Sequence, residues 1–240
     1  MLDPVNVIMF ASFTDTIKMK NDKGGMAMRK KHQENYATSD EEFDSFFAEV
    51  LSKLPVKTAK IIKSTYQTTR RQADKVRLKS QSKFDQVADT FLMGVDDETR
   101  KKCHRIIHVA ALSAAVIGCS PIPFSDAFLL VPVQLTMMSR LHKLFGQSWS
   151  ENLGKNLSKE LVVVSLGRSA VGNIIKFVPV VGTVSGAAIN ASVAVSITES
   201  LGWVTVKMLN DGEDIFEQAM SFKGQFNLLF NSIHRFKSPK

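Results

Sequence analysis

The residues able to do chemistry in this chain are few, and they sit inside apolar stretches. His108, Asp126, Gln134, Arg168, Asn173, Asn190 and Glu199 each interrupt an otherwise hydrophobic run. A buried polar group must find a partner, and a lone buried charge is expensive, so these side chains are expected to meet one another inside the fold. Glu199 and Arg168 make the natural ion pair. His108 and Asp126 flank a turn, and they meet if the helices on either side run antiparallel. The expected role is a structural network that fixes helix register. The alternative is a proton- or ligand-sensitive site with His108 as its switch. His104 and His108 are four residues apart with Cys103 adjacent, which can place two ligands on one helix face. No Glu follows His104, and no matching Cys/His cluster stands elsewhere, so no metal and no other cofactor is expected.

Catalytic signatures are absent too. Gly154-Lys155 lacks the strand and the first glycine of a phosphate-binding loop, and no Gly-x-Ser-x-Gly elbow occurs. A non-enzymatic role is therefore expected, and an enzyme using His108 and Asp126 is the remote reading. Charge points instead to binding. The 240 residues carry a net charge of +8, and residues 53–105 hold 14 basic against 6 acidic side chains. Such a field favours an anionic partner. Lys57, Lys60, Lys63, Arg70, Arg71, Lys75, Arg77 and Lys79 are the expected docking cations; the alternative is a solvated helix face. With two Trp and two Tyr, few rings are available for base stacking, and no nucleic-acid motif is present, so specific nucleic-acid binding is not expected. Two cysteines cannot build a disulfide scaffold, which makes a reducing compartment the default.

These residues need elements to position them. Ser39-Asp40-Glu41-Glu42 fits a capping box, and apolar residues from Phe43 to Leu54 then recur at helical spacing until Pro55. Residues 56–93 read as one long helix, with Ile62, Tyr66, Thr69, Ala73, Val76, Ser80, Val87 and Phe91 on its apolar stripe. Acidic residues at 96–98 open the next helix, stopped by Pro121 and Pro123. A helix over 127–145 is bent at Pro132 and closed by Gly146. Further helices span 150–177 and 183–209, and a final amphipathic helix carries Ile215, Phe216, Ala219, Phe222, Phe226, Leu229, Phe230 and Ile233. No alternating strand pattern occurs. The class is all-α: a compact bundle of two helical hairpins, plus a long basic N-terminal helix and a C-terminal amphipathic helix. The divisions are a disordered segment at 1–38, a basic arm at 39–94, an apolar bundle at 95–235 and a tail at 236–240.

Two charge-free runs, 106–125 and 177–198, have the length of a membrane span. Their content fits spanning poorly, since His108, Pro121 and Pro123 interrupt the first and small or polar residues fill more than half of the second. Small residues recur every four positions at Gly182, Gly186, Asn190, Ala194, Thr198 and Gly202, and at Ala110, Ala114 and Gly118. Such stripes let helix backbones approach closely.

Several ordered motifs carry a resemblance. They are Ile106–Ala115, Ser120-Pro121-Ile122-Pro123-Phe124-Ser125-Asp126, Leu130–Met138, Leu144-Phe145-Gly146, Ile189-Asn190-Ala191-Ser192 and Thr198–Trp203. Over about residues 98–206, but not in the N-terminal segment or the final helix, the chain resembles the bacterial family called domain of unknown function 697. The resemblance implies an all-helical module associated with P-loop GTPases and often with membranes, and it supplies no catalytic residues. A GTPase partner would act in trans. The expected function is a non-enzymatic interaction module, an accessory or effector of a P-loop GTPase at or near the inner face of a membrane, in the cytoplasm. The alternative is a membrane-inserting protein whose helical hairpins open into the bilayer, as in pore-forming proteins. The sequence does not set the oligomeric state.

Overall fold

Helix α1, Asp40–Ser52, starts with three carboxylates in its first turn, where the helix dipole favours negative charge. Its spacing turns Phe43, Phe46, Phe47, Val50 and Leu51 inward, and all five are buried. Pro55 stops it and precedes α2, Val56–Phe91, a helix of 36 residues. The computed structural model describes residues 40–122, 127–150 and 186–235.

Helix α2 buries Ile62, Thr69, Ala73, Phe84, Ala88 and Phe91. Phe84 and Ala88 extend the stripe expected from the sequence and are its anchors towards the C-terminal end. Gly94, at φ 82°, reverses the chain. Asp96 then caps α3, Asp97–Cys119, by accepting from the backbone N–H groups of Glu98 and Thr99 at 3.0 Å each. Helix α4, Ala127–Leu144, contains Pro132. It closes at Gly146, φ 70°, where the Gln147 N–H donates to the His142 carbonyl at 2.8 Å. Helix α5, Gly186–Asn210, ends at a turn through Gly212. Helix α6, Ala219–Arg235, completes the described residues. The sequence placed Ile215 and Phe216 on this helix; they precede it in a turn, although Ile215 is still buried.

Helix α3 lies at the centre, against α1, α2, α4 and α5, while α5 packs on α2, α3, α4 and α6. Helices α3 and α5 run antiparallel. Gly118 meets Ala191 near the start of α5, and Ile107 meets Gly202 near its end. A Cβ added at Gly118 would sit 2.8 Å from the Ala191 Cα, so the two backbones touch where the small-residue stripes cross. Every described element is a helix, and the fold is an all-α bundle. The basic segment supplies Ile62, Ala73, Phe84, Ala88, Phe91 and Leu92 to the same core as α3 and α5.

Helix α3 is the one described helix long and apolar enough to cross a membrane, and most of its apolar window is buried against neighbouring helices. The N-terminal segment at 1–38, the 123–126 turn with Asp126, the helix expected over 150–177 with Arg168 and Asn173, and most of the 177–198 run lie outside the described residues.

Candidate functional site

Of the polar residues, His104, His108 and Glu199 come together where α2, α3 and α5 meet. The helical spacing of His104 and His108 stacks their imidazoles on one side of α3, with ring centroids 5.5 Å apart. Both are buried. Helix α2 brings Asp85 to them, and the ligating atoms of Asp85, His104 and His108 all lie within 4.8 Å of one another. From α5, the Trp203 ring meets His104 edge-on at 4.8 Å. The Trp203 indole N–H donates to Glu199 Oε2 at 3.0 Å, one helical turn away.

Glu199 is fully buried. Its apolar surroundings, reinforced by the Asp85 charge, push its carboxyl up to about 8, against the opposing pull of the Trp203 N–H and the Arg77 guanidinium. Among the described residues, Arg77, on α2, is a cation that Glu199 feels, and its own desolvation lowers its pKa below the usual guanidinium range. Arg168, the partner expected for Glu199, lies outside the described residues, as does Asp126, expected beside His108. Gln134 is buried, and neither atom of its amide has a hydrogen-bond partner among the described residues. Asn190 is exposed, and this corrects its expected place in the buried network: α5 turns Ala191 rather than Asn190 onto Gly118.

The cations of α2 divide into two sets. Lys57, Lys60, Lys63, Arg71, Lys75 and Lys79 are exposed. At about 3.6 residues per turn, all but Lys63 fall within an arc of about 100° opposite the buried stripe. Arg70 and Arg77 turn inward, which corrects their expected place on the docking face. Arg70 binds Asp74 at 3.0 Å and Asp40 at 3.2 Å, donates to the Tyr66 hydroxyl at 2.7 Å, and covers the Phe43 ring at 4.2 Å. It fastens α1 to α2. Sequence reasoning missed Asp85 and Trp203 as members of the polar cluster. Asp85 lies 19 positions before His104 on another helix, so no local spacing reveals it. Trp203 reads as an ordinary core aromatic.

Fold and site together define a class: an all-helical bundle whose central seam holds ionisable side chains and whose longest helix presents lysines outward. The chain belongs to the family described as Domain of unknown function (DUF697), whose model matches residues 79–227. That match begins on α2, before Asp85, and reaches into α6, so it is wider than the motifs of residues 98–206. The chain is also similar to Magnetosome membrane protein 22 of Magnetospirillum gryphiswaldense, with 30% identity over 112 residues. The aligned part covers 45% of this chain and 56% of that protein, so the chain spans little more than half of its relative. No solved structure matches.

Proposed function

We propose that this protein is a non-enzymatic docking module of a membrane-associated assembly. The outer face of α2 meets an anionic surface at the inner side of a membrane, and the bundle serves a P-loop GTPase acting in trans. The observation that carries the reading is the disposition of α2: six exposed cations, all but Lys63 along its outer face, with its inner stripe committed to the core. Helical proteins that bind membranes peripherally use this arrangement of lysines against anionic headgroups. Similarity to a protein named as a magnetosome membrane protein supports the membrane setting. The GTPase is proposed from the family resemblance.

The test is co-sedimentation of the full chain with vesicles of phosphatidylglycerol and, separately, of phosphatidylcholine. Binding is expected only to the anionic vesicles. It should weaken with salt, because exposed charges are screened over about 8 Å at physiological ionic strength. Exchange of Lys57, Lys60, Lys75 and Lys79 for Gln should abolish it. Binding that ignores both salt and these changes refutes the basic face. Resistance to a carbonate wash favours the membrane-inserting alternative, for which α3 is the candidate helix.

A further inference from the structure

We propose that Asp85, His104 and His108 bind one divalent first-row transition-metal ion, which ties α2 to α3. Two imidazoles on successive turns of a helix and a carboxylate from a neighbouring helix form a recurrent ligand set for such ions. Their donor atoms already lie within 4.8 Å of one another. In a tetrahedral site with bonds of about 2.0–2.1 Å the donors stand roughly 3.3 Å apart. Closure therefore asks for shifts of about an ångström, within the reach of side-chain rotation. The two nitrogen donors favour zinc, cobalt or ferrous iron over calcium or magnesium, which take oxygen ligands.

The surroundings suit an ion held for structure. His104 and His108 are buried. The Trp203 ring fixes one side of His104. Asp85 is only partly buried, so it is the least enclosed of the three ligands. Glu199 Oε1 is buried and accepts no hydrogen bond among the described residues. It lies close enough to feel the Asp85 charge, so it is a further oxygen donor beside the three ligands. Arg77, turned inward from α2, feels both carboxylates and is the cation with which an arriving ion competes. A metal here clamps the basic helix onto the bundle. The inference is independent of the docking reading, and its test uses neither membrane nor GTPase.

The experiment titrates the chelator-stripped full chain with cobalt(II) alone and then adds zinc(II). One cobalt ion per chain is expected, with visible absorption from mixed nitrogen and oxygen coordination that zinc removes. The melting temperature should rise by roughly 5–10 °C at about 100-fold excess over Kd. His108→Gln and Asp85→Asn should weaken uptake at least about tenfold. His142→Gln, altered at a buried imidazole elsewhere, should bind as the parent does. Asp85→Asn is isosteric and partly exposed, so it keeps the test open if the histidine variant unfolds; circular dichroism checks both. Failure of the folded parent to take up cobalt overturns the proposal, as does uptake unchanged by Asp85→Asn.

Discussion

The crossing of α3 and α5 yields the sharpest quantitative expectation. In Gly118→Ala the new Cβ would lie 2.8 Å from the Ala191 Cα, 2.9 Å from its nitrogen and 3.1 Å from the Asn190 carbonyl carbon. Carbon atoms pack best at about 3.5–4.0 Å, so the helices must part by about 1 Å at that point. All three obstacles are backbone, so no side-chain rotation relieves the clash. Overpacking of this kind costs about 1–3 kcal/mol. The alanine recovers at most about 1 kcal/mol of helix propensity, and less here because Gly118 is in the last turn of α3. The net loss should be about 1–2 kcal/mol, or a fall in melting temperature of roughly 2–8 °C. Gly202→Ala is the internal control. Its Cβ would meet the Ile107 side chain at 2.8 Å and the Met137 sulfur at 3.0 Å, and both can give way. Mid-helix propensity then offsets the strain, and the change should stay within about 1 kcal/mol of zero. Thermal and urea denaturation of both variants measures the difference. A Gly118→Ala protein as stable as the parent, or one less affected than Gly202→Ala, would falsify the close backbone contact.

Three further outcomes follow from single contacts. Arg70→Ala should destabilise by about 1–2 kcal/mol in urea melts, since it removes the ring contact with Phe43 and the hydrogen bond to Tyr66, whereas Lys75→Ala on the exposed face should stay within about 0.5 kcal/mol. Burial beside Trp149 and Phe216 lowers the His142 pKa below its ordinary 6.5, against the pull of its hydrogen bond to the Met138 carbonyl. The stability from neutral His142 is thus present above pH 6.5 and is lost as pH falls through the depressed value; melting temperature against pH should decline less on the acid side in His142→Leu. Burial pushes the Cys103 thiol up to about 12 and Cys119 up to about 11, so both should resist Ellman's reagent at pH 8 in the folded protein and react on denaturation.

Much of the helical layout was legible because its signals are local. The aromatic spacing of α1, the stop at Pro55, the acidic opening of α3 at 96–98 and the closing glycine at 146 all act within a few residues. The polar centre was only half legible. His104 and His108 announce themselves by spacing, but Asp85 reaches them through antiparallel packing of α2 on α3, which no local pattern encodes. The inward turn of Arg70 and Arg77 was hidden for a related reason. A long cationic side chain can lie on an aromatic ring or reach an acid on a neighbouring helix, and hydrophobic periodicity does not report which cations do so.

The central position of α3 also bears on any encounter with lipid. The one described helix long and apolar enough to cross a membrane is also the axle on which α1, α2, α4 and α5 hang. To slide it into a bilayer would strip four neighbours of their common support and expose His104 and His108 to hydrocarbon. An inserted form would therefore be a second fold of the chain, reached only after the first has come apart, whereas attachment through the outer lysines leaves the architecture intact.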